Sequence, residues 1–417
     1  MMQAFFTLIF LLPLTVRAVD LPNPLTLGNT LQLAKNQNLD ERQQQINIEL
    51  NGVILDEYQD VYKPKIDLDM QLARRAYDNT GVDNSHAFIK INQVLFDQNT
   101  SINQSIAESD IQSTRFKLQQ IKDNKTVELM RGFFDVVLAD MRYETILEKL
   151  AISAIQEGRV RDDFDTQDAS EVELLEKQAQ TQLDIGERIE AEAEQIVTRA
   201  KLAQLLNIAY EDRPDDLTKP KLDHFLKKEL GEFEVWQKKV LAQNPILQDM
   251  KRTLLNLKQQ SSKESNNSEI IVSSNIRLGE QAYQRDKNGK WRVGLNLVMP
   301  IGQSYKQKRK ISELYLKIKQ QQLSIKQFSQ SLNQEALSLW LRLRALSQKY
   351  KATIIELDYR DLYLERSRAN YEMEIKSDIG NAMVNLTDTE WKLAKSEFNY
   401  IITLTKLKQL AGEDYEL

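Results

Sequence analysis

Lys65-Ile66-Asp67-Leu68-Asp69-Met70-Gln71-Leu72 places an apolar residue at every second position and a polar one between. Alternation sustained over eight residues is the period of a β-strand with one apolar and one wet face. Three more segments share it. Phe88 to Phe96 is the least regular, with Ile89, Ile91 and Leu95 set against Lys90, Asn92 and Val94. Ile270, Val272, Ser274, Ile276 and Leu278 alternate with Glu269, Ile271, Ser273, Asn275 and Arg277. Trp291, Val293, Leu295, Leu297 and Met299 alternate with Arg292, Gly294, Asn296 and Val298. Polar loops, Asp78-Asn79-Thr80-Gly81 onward and Arg285-Asp286-Lys287-Asn288-Gly289, join them into two hairpins, at about 65–97 and about 268–301. Each strand has roughly the 9–11 residues needed to cross a bilayer as a tilted barrel strand. A soluble sheet with one wet face would read the same way.

Outward from the hairpins the chain is starved of helix breakers. No proline lies between Pro64 and Pro214 or after Pro300, and such stretches can carry helices far longer than the usual 11–12 residues or so. From Leu314 an apolar seam runs through Ile318, Ile325, Phe328, Leu332, Ala336, Leu339, Leu343, Leu346, Tyr350, Thr353 and Leu357. Its steps are almost all 3 or 4 residues, the signature of a coiled-coil stripe. A second seam, rich in small residues, reads Val172, Leu175, Ala179, Leu183, Gly186, Ile189, Ala193, Ile196, Ala200 and Ala203. Plain helix packing accounts for both.

The composition excludes several functions. Among 417 residues there is no Cys, so neither a disulfide framework nor a cysteine metal site is possible. The net charge of -5 argues against a nucleic-acid binder. Two histidines, His86 in a hairpin loop and His224 between the halves, form no local catalytic or metal cluster. No glycine loop that would cradle phosphate occurs. An enzyme is not expected, nor any cofactor. A mean hydropathy of -0.51 argues against apolar helical spans but says nothing of barrel strands. At the N-terminus, the apolar run Ala4–Leu14 and Val16-Arg17-Ala18 read as a signal peptide over residues 1–18.

The two halves repeat. Leu33-Ala34-Lys35-Asn36-Gln37-Asn38 pairs with Val240-Leu241-Ala242-Gln243-Asn244-Pro245. Leu95-Phe96-Asp97-Gln98 pairs with Pro300-Ile301-Gly302-Gln303. Ser170-Glu171-Val172 pairs with Ser377-Asp378-Ile379, and Lys201-Leu202 with Lys406-Leu407. All are separated by 205 to 207 positions and occur in the same order. The expected organisation is a first repeat over 19–208, a connector over 209–230 and a second repeat over 231–417. Four strands cannot close a transmembrane barrel, whose smallest examples have about 8. An unclosed sheet in lipid would leave edge groups unpaired at several kcal/mol each. Strands in a membrane therefore require several chains; 8, 12 or 16 strands would mean a dimer, trimer or tetramer.

The ordered set resembles the TolC family of outer-membrane efflux and secretion channels. It comprises Leu25-Thr26-Leu27 with Leu31-Gln32-Leu33-Ala34, Lys63-Pro64, a hairpin, Leu95-Phe96-Asp97, Ser170-Glu171-Val172-Glu173-Leu174-Leu175-Glu176, and Phe398-Asn399-Tyr400 to Leu410-Ala411-Gly412. The resemblance implies a mainly α fold with a small β part. Long antiparallel coiled-coil helices would form an α-barrel, and two hairpins would give four strands to a trimeric 12-strand transmembrane β-barrel. It implies the exit duct of a tripartite efflux or type I secretion system, in the outer membrane with a periplasmic tunnel. Its partners would be a periplasmic adaptor (membrane fusion) protein, an inner-membrane pump or ABC transporter, and outer-membrane lipid. Carried onto this sequence, the pore constriction falls on Asp378 and Asn381, of which only the first is acidic. Tip-closing contacts fall on Tyr371 and Glu171, with Ser170 alongside. Lys65, Asp67, Asp69, Asn275, Arg277 and Asn296 would line the barrel lumen. The rival reading is a secreted periplasmic coiled-coil scaffold with no pore.

Overall fold

The structure is a computed structural model describing residues 21–35, 38–77, 80–266, 270–282, 290–299, 305–373 and 378–413. The expected signal peptide, 1–18, lies outside the described residues.

The element order runs twice. In the first half, α1 (Leu27–Lys35) and α2 (Leu39–Asp60) precede the strands β1 (Lys65–Gln71), β2 (Arg74–Tyr77), β3 (Thr80–Asp83) and β4 (His86–Asp97). Helices α3 (Thr100–Asp165) and α4 (Glu171–Leu205) follow. A short α5 (Asp223–Leu226) sits in the connector. The second half has α6 (Phe233–Gln243), α7 (Pro245–Asn266), β5 (Ile271–Gln281), β6 (Trp291–Val298), α8 (Tyr305–Glu372) and α9 (Ile379–Leu410). The residues behind the sequence repeat do equivalent jobs. Asn38 caps α2, its side-chain oxygen accepting from the amides of Asp40 and Glu41 at 3.0 and 3.3 Å. Asn244 caps α7 by accepting from the Leu247 amide at 3.0 Å. Leu202 and Leu407 are both fully buried.

Two helices dominate. α3 has 66 residues and α8 has 68, each about 100 Å at 1.5 Å per residue. α3 packs along α4, α8 along α9, and α3 along α9. The core lies where these meet the connector. Phe133 and Phe134 of α3, Phe398, Ile401 and Leu407 of α9, and Leu332, Ala336 and Leu343 of α8 are almost wholly buried. Phe134 stacks on Phe398 at 4.2 Å. Leu222 and Leu226 of the connector close one side of this core. The Leu25 amide and carbonyl bond Asp216 and Thr218, tying the start of the described chain to the connector.

The sheet order is β1-β4-β5-β6, all antiparallel. The hairpins are therefore joined edge to edge through β4 and β5, and β1 and β6 remain as open edges. Two local features depart from the sequence reading. The expected loop of the first hairpin is largely a second two-stranded ribbon, β2 against β3, so Thr80 and Gly81 are strand residues. His86 is likewise the first residue of β4 rather than a loop residue. A β-bulge between Val94 and Phe96 accounts for the irregular alternation of that strand. It moves Phe96 onto the apolar face opposite Val272 and Asp97 onto the polar one.

Apart from its last residue, the buried Ala203, the second helical seam does not face the core of this chain. Val172, Leu175, Leu183, Ile189 and Ile196 are 75, 55, 65, 54 and 45% exposed. The buried positions of α4 are Thr181, Asp184, Ala191, Thr198, Leu202 and Ala203. The α8 seam behaves as expected, with Leu314, Leu332, Ala336, Leu343 and Thr353 buried.

Candidate functional site

The strand register sorts the sheet residues into two faces. Asp67, Lys90, Arg277 and Arg292 form one cross-strand row. Lys65, Asn92, Asn275 and Gly294 form the next, and Ser273 stands opposite Asn296. On the other side of the first row, Asp69 pairs with Phe88 and Phe88 with Gly279. Because side chains alternate, all six residues named from the sequence (Lys65, Asp67, Asp69, Asn275, Arg277 and Asn296) share one face. Lys90, Asn92 and Arg292 belong beside them. Their alternation marked them as polar, but only the register between strands reveals the rows. The opposite face carries Ile66, Leu68, Met70, Ile89, Ile91, Val293, Leu295 and Leu297; Leu68 is 68% exposed and Leu295 77%.

The polar face is wired internally. Lys90 makes an ion pair with Asp69, and Lys65 Nζ stands 3.8 Å from Asp67. His86 Nε2 lies 3.3 Å from the same Asp69 carboxylate. Phe88 stacks on His86 at 4.9 Å and carries the Arg277 guanidinium 4.4 Å above its ring. The large ring fits because residue 279, opposite it, is glycine. At φ +152° a Cβ on Gly279 would lie 2.0 Å from the Ala87 carbonyl oxygen, so no side chain fits there.

At the far ends of the long helices are the tips. Ser170 caps α4 in a capping box: its Oγ accepts from the Glu173 amide at 3.3 Å, and its own amide donates to Glu173 Oε2 at 2.8 Å. Ser170's backbone amide, then its hydroxyl, hold the Glu173 carboxyl below the usual range. Glu171, next to it, is exposed. Tyr371, near the end of α8, is 66% exposed. At the second tip Asp378 is the N-cap residue of α9, and Asn381 Nδ2 donates to Asp378 Oδ2 at 2.9 Å. The structure thus brings the two constriction candidates into contact and leaves Glu171 and Tyr371 on open surface. Packing behind Asp378 is tight: a Cβ on Gly380 would meet Ile152 of α3 at 3.0 Å.

Behind the tips, polar contacts fix the helices against each other. Asp184 of α4 is fully buried. It accepts from Gln180 at 2.8 Å and from the Ser153 hydroxyl, and it pairs with Lys149 at 2.9 Å. Burial pushes its carboxyl up, but the bonds from Ser153, Lys149 and Gln180 outweigh this and hold it below the ordinary range. Lys149 also reaches Glu187 at 2.9 Å. Burial opposes its charge, yet the two carboxylates hold its ammonium above the usual value. Between α3 and α9, Arg142 bonds Asp388 at 3.0 Å and the Trp391 indole donates to the Leu138 carbonyl. The sequence signal for Asp184 was weak, because a single acid on a heavily charged helix looks like solvated surface.

Among the described residues no group of three His, Asp or Glu could hold a metal ion, and no helix is long and apolar enough to cross a membrane. No protein-family model matches the chain, and no curated protein matches it. Solved structures do follow its fold. The Campylobacter jejuni CmeC outer membrane channel is 13% identical, with a TM-score of 0.71 over 93% of this chain and 85% of that one. The Vibrio cholerae outer membrane protein VceC is 11% identical, with a TM-score of 0.71 over 94% and 97%. The open state of the Neisseria gonorrhoeae MtrE outer membrane channel is 15% identical, with a TM-score of 0.70 over 93% and 89%. The fold is therefore that of these outer-membrane channels, the fold that the sequence resemblance implied.

Proposed function

We propose that this chain is one third of a homotrimeric outer-membrane channel, the exit duct of a tripartite efflux or type I secretion system. The carrying observation is the sheet: four strands, one face apolar and exposed, the other charged, with β1 and β6 left as open edges. Three copies joined β1 to β6 would make 12 strands with the charged face inward and lipid outside. The uncovered apolar stripe of α4 supports the same assembly, because a neighbouring copy would cover it. Matching exposed positions occur on α8, including Leu323, Ile355 and Leu362.

The mechanism would be passive. Asp378 and Asn381 from three chains would narrow the tip and repel anions there, while Ser170, Glu171 and Tyr371 would meet neighbouring helices. A periplasmic adaptor would open the tips by binding the open state better than the closed one. An inner-membrane pump or ABC transporter would supply the cargo and its energy. Fractionation of cells expressing the protein tests this reading. Heat-resistant trimers in the outer membrane are expected; a soluble periplasmic dimer would establish the scaffold instead.

A further inference from the structure

We propose that the polar strand face carries an arginine belt that attracts oxyanions, so that the outer part of the conduit favours anionic solutes. This rests on the channel reading, which puts that face in the lumen.

The charges of the face do not cancel locally. Both of its central acids are engaged by lysines, Asp67 by Lys65 and Asp69 by Lys90. Arg277 and Arg292 remain, and among the described residues neither has a carboxylate partner. They stand directly opposite each other on β5 and β6. Like charges in that arrangement repel and destabilise a sheet, and an oxyanion shared between them removes the repulsion. Guanidinium groups suit that task, since their planar forks bind carboxylate, phosphate or sulfate with two parallel bonds. Arg277 is held in place by the Phe88 ring, itself admitted by Gly279. Asp97, the remaining acid of this face, lies six residues down the strand pairing from Arg277, at Ile271. That is about 20 Å along a strand, against a Debye length of about 8 Å at physiological salt. It cannot neutralise the belt.

Three chains would repeat the pair around the pore. The sign is opposite to that of Asp378 at the tips, so the conduit would carry two filters in series. Sulfated, phosphorylated or carboxylated cargo would be concentrated at the outer one.

Single-channel recording of the purified full-length protein in planar bilayers tests this, with tripolyphosphate added on the side of the strands. Tripolyphosphate should block the current. The concentration for half block should rise by at least about tenfold in Arg277→Ser with Arg292→Ser. Arg277→Lys with Arg292→Lys should keep most of the block, which separates charge from misfolding. Open channels indifferent to tripolyphosphate would overturn the belt alone. No channel activity from a correctly folded trimer would overturn the channel reading and the belt together.

Discussion

At the scale of single residues, Asp184 shows how a helix pair is held in register without an apolar seam. Its carboxylate is buried on α4 and satisfied by Ser153 and Lys149 of α3 and Gln180 of its own helix. Replacing it with Ala would remove the buried acceptor these three groups share, leaving Lys149 with Glu187 alone, at a cost of about 1–3 kcal/mol. The pH dependence follows from the two shifts. The Asp184 carboxyl is depressed on folding, so its contribution is full above the unfolded value near about pH 4. It is lost as the pH falls through the lower folded value. The Lys149 ammonium is raised, so its contribution persists up to about pH 10 and is lost above its folded value. Thermal melts of the wild type and Asp184→Ala should differ most at neutral pH and converge at pH extremes. A difference that stays constant with pH would show that the charge is not what stabilises.

At the scale of elements, the helices and strands were legible because period and breakers speak locally. The strand segments from Lys65, Ile270 and Trp291 match the observed strands to within three residues. The β2–β3 ribbon was not legible, because Arg74 to Asp83 is too polar to show alternation. Nor was the partner of the α4 seam: periodicity identifies an apolar stripe but not what covers it. Here Val172 and Leu175 face outward, while Thr181 and Asp184 are buried and Asp184 bonds α3. The tips divide similarly. Ser170 has work within its own chain as a helix cap, whereas Glu171 and Tyr371 have free surfaces available to neighbours. Glu171→Ala with Tyr371→Phe should therefore raise single-channel conductance without lowering the melting temperature. Unchanged conductance would remove both from the tip lock.

At the scale of the whole molecule, the alternation of the sheet makes a direct prediction. The chain has no cysteine, so single substitutions report cleanly. Asn296→Cys in membranes should react with a charged, water-soluble maleimide. Its neighbour Leu295→Cys should react only after detergent denaturation. Equal labelling of both would mean that the sheet stands in water. What the sequence could not supply was the order β1-β4-β5-β6. Each hairpin is visible as a local pattern, but the β4–β5 pairing joins segments in different halves, and nothing local encodes it. The charged rows of the candidate site were hidden for the same reason.

That pairing also sets a timetable. His86 meets Gln281 only across the whole of α3, α4, the connector, α6 and α7, whereas α3 finds α4 through a turn of a few residues. Closing a long loop is slower than closing a short one. The helical coils should thus form first and the sheet last, and in the proposed trimer its two open edges would be completed only when neighbouring chains arrive. If the chain is a channel subunit as proposed, a newly made copy would stay water-compatible through most of its folding, and its lipid-facing surface would be finished only at the moment of assembly.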